Sequence, residues 1–364
     1  MGKNIVICCD GTNNAIVGDQ TNVLRLFRML SRDSNQEIFY DAGVGTKADP
    51  TALWPWRRFV RKEFDAAVGN SIRDNVLDAY RFLIQRYDPD DKVFLFGFSR
   101  GAYTVRALGA LIARCGLLRP EYAHLCEYAW SVFSDEDHSN DRRRRFGGVA
   151  RIKKVFGAAA EIHFVGVWDT VSSFGWFWDQ LTLPDTATNP VLAHVRHAIS
   201  IDETRAFFTP NFFHPAQGQD CKEVWFAGVH GDVGGGYADS EAGLARVALR
   251  WMISEARVLG LHIDSVLQDE MLQRMGDRAV PDELGPQHDE SRRRVWRIAA
   301  WLPRRAFSGA KSGRKWRWPN RPRKRAIPEG AWIHQSVQSR IQQSVPAYSP
   351  QLPSQFTFVN DRCS

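Results

Sequence analysis

The chain is short of several things, and each shortage removes a class of protein. Nowhere in its 364 residues is there the run of about 18 apolar positions that a bilayer-spanning helix needs. The N-terminal MGKNIVICCDGTNN has only a brief apolar stretch that runs into polar turn residues, with no small-residue cleavage site behind it. It reads as a first strand, not a secretory signal. The six cysteines, Cys8, Cys9, Cys115, Cys126, Cys221 and Cys363, form neither CxxC pairs nor a disulfide-scaffold spacing. Synthesis in a reducing cytosol suits them, with peripheral membrane attachment or signal-less export left open. No internal repeat and no metal or cofactor motif is present, so no cofactor is expected. The last absence is local: residues 291–328 hold no Asp or Glu but fourteen Lys or Arg. The whole chain is at +7, so the remainder without that segment stands at −7. The basicity belongs to one arm, and the body is mildly acidic.

What is there is ordinary globular stock. A hydrophobic share of 44% and a charged share of 24% allow a sizeable core in one large domain or two modest ones. Short apolar runs at 4–9, 37–40, 92–96, 162–167 and 223–227 read as buried strands of a mainly parallel sheet. Between them lie helical patterns at 71–87, 102–118 and 241–258. The first has Ile72, Val76, Tyr80, Leu83, Ile84 and Tyr87 at helical spacing and is stopped by Pro89; the second is apolar all round and so buried. Strands alternating with helices predict an α/β fold with helices on both faces of the sheet. Residues 1–285 form the expected catalytic body, with insertions above the sheet at 49–64 and 119–160. Residues 286–330 are the basic Trp/Arg-rich arm, expected to be flexible or partly helical, and 331–364 should return to the body.

One stretch demands an explanation. VFLFGFSRGAY (93–103) sets Ser99 between Gly97 and Gly101, directly after an apolar run and before a long helix. That is the context of a nucleophile elbow, in which the glycines permit a strained turn and leave the hydroxyl exposed. The plain alternative is a tight strand–helix turn with Ser99 as its N-cap. A nucleophilic serine needs a base and an orienting acid, which in α/β-hydrolases follow in the order Ser, acid, His, each past a strand end. Asp169 closes the apolar run FVGVWDTV, and His230 follows VWFAGVHGDVGGGY, so order and location both fit. The plain readings are a helix N-cap for Asp169 and a satisfied loop histidine for His230. His163, His197, His214 and His334 lack a strand end or a glycine-rich exit. Asp232 is the rival acid, although from two residues beyond His230 it would have to fold back sharply.

Two backbone amides must also meet the developing oxyanion. Arg100, next after the serine, is one expected donor. The loop CDGTNN after the first strand offers the other, from Gly11 or Thr12. Asp10-Gly11-Thr12 is reminiscent of the DxDGT phosphatase signature, but that motif needs an aspartate where this chain has Cys8, so a phosphatase is rejected. Asp10 is left to bind a cation or to tie down the loop.

Taken together, CDGTNN, AGVGT (42–46), NSIRDNVLDAYRFLIQRY, VFLFGFSRGAYTVRALGALI, VGVWDTV, HAISIDETRAFF (197–208) and GVHGDVGGGY resemble the α/β-hydrolase domain of the type VI secretion phospholipase effectors. The resemblance runs from residue 4 to about 260 and returns weakly at Ile333-His334-Gln335-Ser336-Val337. It implies Ser99, Asp169 and His230 as a catalytic triad acting on lipid esters. Two rivals stand beside it: a soluble esterase, thioesterase or amidase, and a non-catalytic membrane- or nucleic-acid-binding module. The arm, with Trp296, Trp301, Trp316 and Trp318 among its cations, suits an anionic membrane at least as well as nucleic acid. On this reading arm and chemistry are separable. Deleting 291–325 is expected to spare hydrolysis of a short soluble ester and to lower activity on anionic liposomes, measured side by side.

Overall fold

Alternation along two strands organises the molecule. In NIVICC, Ile5, Ile7 and Cys9 enter the core on one face of a sheet, while Val6 and Cys8 enter the core on the other. VFLFGF does the same, with Val93 and Leu95 on the first face and Phe94, Phe96 and Phe98 on the second. Strands apolar on both faces belong in the middle of a parallel sheet covered on both sides. The computed structural model describes residues 2–11, 20–43, 68–134, 142–171, 174–176, 179–181, 183, 185–273, 280–292, 296, 300–301, 303–307, 314–343 and 348–361. Within these, β1 (Asn4–Cys9), β2 (Gln36–Asp41), β3 (Lys92–Phe98), β4 (Ile162–Trp168), β5 (Leu192–Ser200), β6 (Asp220–Phe226), β7 (Ala331–His334) and β8 (Phe356–Val359) form one sheet. Its order is β2-β1-β3-β4-β5-β6-β7-β8, and every neighbouring pair is parallel.

On one face lie α2 (Val68–Arg86) and α3 (Arg100–Cys115), with helices Cys126–Ser134 and Arg142–Val155 also packed into that core. On the other lie α1 (Asn22–Met29) and α5 (Gly243–Val258). Between β6 and α5 sits the short α4 (His230–Gly234). The fold is thus the expected α/β type. From β1 the chain steps outward to β2, then crosses back to lay β3 on the other side of β1. Such a reversal, at the carboxyl ends of β1 and β3, is the place where open α/β sheets bind ligands. Asp10 directly follows β1 and Ser99 directly follows β3 at that edge.

Three strands of this eight-stranded sheet went unread in the sequence. In β5 the run LAHVRHAIS is broken by His194, Arg196 and His197, which hide a central strand. The structure supplies their partners from afar. Arg196, buried, donates to Glu255 Oε2 of α5 at 2.5 Å and to Asp220 Oδ2 at 2.8 Å, and His197 Nδ1 meets Glu223 Oε1 at 2.9 Å. The other two, β7 and β8, are four-residue strands at the sheet edge, too short for a periodicity argument.

The arm departs from expectation. Arg304–Phe307 and Arg314–Arg317 pair antiparallel and join Phe174–Trp176 and Asp179–Leu181 in a second, four-stranded sheet. One helical bond, Ala300 N–H to Trp296 O at 3.0 Å, precedes them. Residues 321–328 carry no regular structure and lie along the body, with Arg323 N–H donating to Thr204 O at 2.9 Å. The insertion expected at 49–64 lies outside the described residues. Among the described residues no helix is long and apolar enough to cross a membrane.

The Arg196–Glu255 pair yields a stability prediction. Both side chains are buried, and Glu255 also accepts from Lys222 at 2.9 Å, so Glu255→Ala leaves the Arg196 Nε unpaired in the core, with Asp220 as the remaining carboxylate partner of the guanidinium. We expect a loss of about 1–3 kcal/mol in the denaturant midpoint analysis. A loss under about 1 kcal/mol would mean that water reaches the pair.

Candidate active site

The site begins at the end of β3. Ser99 has φ 55° and ψ −117°, a region that side chains rarely adopt, and α3 starts at the next residue. A Cβ on Gly97 would stand 2.6 Å from the Gly101 carbonyl oxygen, and one on Gly101 would stand 2.1 Å from that of Cys9. The GxSxG glycines are therefore demanded by the close approach of β1, β3 and α3. Ser99 occupies the N-cap position of α3, yet its side chain makes no capping bond. The plain N-cap reading does not hold.

Asp169 follows β4 at φ 39°, with its amide donating to Ala198 O at 2.7 Å. Its side chain is fully buried. Oδ2 lies 2.6 Å from His230 Nδ1, and Oδ1 accepts from Ser200 N–H at 2.9 Å and Ser200 Oγ at 3.2 Å. It caps no helix. His230 opens α4 just past β6, and its ring packs on Phe98, the neighbour of Ser99, at 4.7 Å between centroids. Phe208 meets the same ring edge-on at 4.8 Å. With Nδ1 engaged by the carboxylate, Nε2 is the nitrogen left to exchange a proton with a hydroxyl. No hydrogen bond joins Ser99 Oγ to His230 in this structure; such contacts often tighten only around substrate.

The loop from the HAISIDETRAFF motif wraps this histidine. Glu203 Oε2 accepts the His230 amide at 3.3 Å, and Glu203 is itself gripped by Arg205 at 2.6 and 2.9 Å. Burial would push the Glu203 carboxyl up, but the Arg205 guanidinium outweighs it and holds it below the usual range. Arg205 lies over Phe208 at 3.7 Å and over Trp296 of the arm at 4.8 Å.

The competing residues have other work. His197 Nε2 accepts the Thr170 amide at 3.2 Å, which braces the backbone just beyond Asp169. His163 bonds Leu259 O, and His334 bonds Ser336 and Asp361. The amide of His214 donates to Ala187 O. Asp232 caps its own short helix through the Val229 amide at 3.0 Å and holds His288 Nδ1 at 2.7 Å, making no bond to His230. Asp10 accepts from Thr21 Oγ1 at 2.5 Å, Tyr40 Oη at 3.0 Å and the Gly11 amide at 2.7 Å. It ties the loop down, and the Gly11 amide is turned to it. Thr12 lies outside the described residues. Arg100 is the first residue of α3, beside the serine.

One residue that the structure brings to this site had no signal in the sequence. Arg325, one cation among the fourteen of the arm, buries its guanidinium against Asp169. Nη1 donates to Asp169 Oδ1 at 2.6 Å and to the Ser200 carbonyl and hydroxyl at 2.9 and 2.7 Å. Nη2 donates to Asp169 Oδ2 at 3.1 Å and to Phe208 O at 2.6 Å. Burial alone would raise the Asp169 carboxyl. The charge of Arg325, and then the His230 bond, reverse this and hold it well below the usual carboxylate range. A deletion of 291–325, expected above to spare the body, would remove this partner of Asp169.

An all-parallel α/β sheet with a strained serine at a strand–helix elbow, and a buried Asp–His pair just past the ends of β4 and β6, has the architecture of α/β-hydrolase-type proteins. The chain belongs to the family described as "T6SS, Phospholipase effector Tle1-like, catalytic domain", which it matches over residues 3–255. It is 33% identical over 227 residues to the Saccharomyces cerevisiae "Uncharacterized protein YEL023C", a match covering 59% of this chain and only 33% of the yeast protein. Among solved structures it is similar to that of the Tle1 effector bound to the VgrG spike from the type 6 secretion system. There the TM-score is 0.49 at 14% identity, over 89% of this chain and 92% of that one. An uncharacterized protein from Pseudomonas aeruginosa gives a TM-score of 0.45 at 18% identity, over 84% of this chain and 52% of that one.

Proposed function

We propose that the protein is a serine hydrolase that cleaves carboxylic esters of lipids, phospholipids foremost, through a covalent acyl-enzyme. The observation that carries this reading is Ser99, strained at φ 55° and unused as a cap, beside the buried His230–Asp169 pair. In the proposed first step Ser99 Oγ attacks the ester carbonyl while His230 Nε2 takes its proton. The tetrahedral intermediate collapses, His230 returns that proton to the leaving alcohol, and the acyl group stays on Ser99. Water then attacks the acyl-enzyme with His230 again as base, releasing the acid. Asp169 accepts Nδ1–H and so keeps Nε2 as the basic nitrogen. The Arg100 amide serves as one oxyanion donor, and Thr12 of the CDGTNN loop is the second, since the Gly11 amide faces Asp10. The family description supports a lipid ester as substrate.

The reading predicts that Ser99→Ala folds but loses at least about three orders of magnitude in ester turnover, with His230→Ala and Asp169→Asn severely impaired. Asp232→Asn should be affected far less. A fluorophosphonate probe should label wild-type protein at Ser99 and leave Ser99→Ala unlabelled. Residual turnover above about a tenth of wild type in Ser99→Ala would refute the nucleophile.

We further propose that the arm holds the protein against an anionic bilayer. Trp301, Trp316 and Trp318 are each more than half exposed, and Trp318 Nε1–H donates to Trp301 O at 2.9 Å, which fixes two indoles side by side. Arg317, Arg321, Arg323 and Lys324 are exposed around them. Indoles favour the headgroup level, and each cation near an anionic surface adds about 1 kcal/mol at low salt. Replacing the three tryptophans with alanine should reduce sedimentation with anionic liposomes several-fold, most clearly at high salt where the cations are screened. Unchanged sedimentation, or tight salt-dependent binding of duplex DNA in its place, would sink the membrane reading.

A further inference from the structure

Asp169 is the most heavily bonded carboxylate of the site, and the bond to His230 accounts for only one of its contacts. Its Oδ1 takes three donors, from Ser200 N, Ser200 Oγ and Arg325 Nη1, and its Oδ2 takes His230 Nδ1 and Arg325 Nη2. Arg325 in turn is pinned by the Ser200 and Phe208 carbonyls, so the guanidinium plane is set by β5 and by the loop that packs on the His230 ring. Its Nε, buried, has no partner among the described residues. The fork therefore serves Asp169 and the two carbonyls, not a network of its own.

We propose that Arg325, carried on the basic arm, is a positioning residue for hydrolysis. It grips both carboxylate oxygens of Asp169, fixes their plane and balances their charge, so that Oδ2 meets His230 Nδ1 in one orientation. A guanidinium fork suits a carboxylate held at two oxygens, which a lysine ammonium, a single compact charge, cannot match. Two consequences follow. Without the fork Asp169 can rotate, and the proton-accepting nitrogen of His230 is less well aimed. Without its charge Asp169 faces His230 uncompensated, which favours the imidazolium and takes the base out of action at higher pH. The other charged groups facing His230 are Glu203, whose Oε2 accepts its amide, and Arg205, which neutralises Glu203 in a separate pair. That pair is unaltered by a change at 325.

The inference rests on the serine-hydrolase reading, and the experiment separates the two. Full-length wild type, R325Q and R325K are compared by fluorophosphonate labelling, thermal melting and the pH dependence of kcat and KM on a short soluble ester. R325Q should lose about 10–100-fold in kcat with KM little changed, and the acid limb of its profile should move up by about one pH unit or more. R325K, which keeps the charge but not the fork, should return the acid limb to its wild-type place and recover only part of kcat. A merely structural arginine would lower the melting temperature and leave the limb where it was. Should R325Q fail to fold, R325K decides: kcat lowered several-fold at unchanged KM supports the proposal, and a wild-type kcat overturns it. An R325Q enzyme of wild-type rate and profile, from protein whose Ser99 takes up the probe, overturns this inference alone. A wild-type Ser99 that ignores the probe overturns the hydrolase reading, and the inference with it.

Discussion

Asp169 carries its charge where no water reaches it, and much of the molecule is arranged around that fact. A buried carboxylate without partners costs several kcal/mol, so its donors have to be in place before it can stay ionised. They come from three separate parts of the chain: Ser200 at the end of β5, His230 at the start of α4 and Arg325 on the arm, while the Ala198 carbonyl, also on β5, accepts the strained Asp169 amide. None of these is a sequence neighbour. The φ of 39° at Asp169 persists because strands on both sides over-determine it, as strained backbone at functional sites requires.

The same logic applies on the nucleophile side. Ser99 holds its unfavourable backbone because β3 and α3 are both anchored, β3 between two parallel neighbours and α3 in a core apolar on nearly every side. The switch in strand order places this elbow beside the Asp10–Gly11 turn, and Ser99, Asp169 and His230 all lie at the carboxyl edge of one sheet. Rigid strands supply the positions, and loops supply the groups.

The arm would join the two proposed functions on one segment. Its exposed indoles and cations face outward, while a few residues further on Arg325 turns inward to the acid of the site. Trp296 lies between these roles, edge-on to Phe208, which is edge-on to His230. The proposed lipid surface and the Arg325–Asp169 contact are thus only a short length of chain apart.

Much of this was legible in the sequence. Apolar runs marked β1 to β4 and β6, helical spacing marked α2, α3 and α5, and the GxSxG motif with its strand-end aspartate and histidine located Ser99, Asp169 and His230. Those signals are local, because burial on both faces of a strand and close backbone approach at an elbow constrain neighbouring residue types directly. What the tertiary structure alone decided is polar. In β5, Arg196 and His197 sit in the core because Glu255, Asp220 and Glu223 come from other elements to meet them. Asp232 is taken by His288, 56 positions away, and Arg325 finds Asp169 across 156 positions. A buried charge is tolerable only with a partner, and partners distant in the chain leave no periodicity, so nothing in a run of fourteen cations marked which one would turn inward.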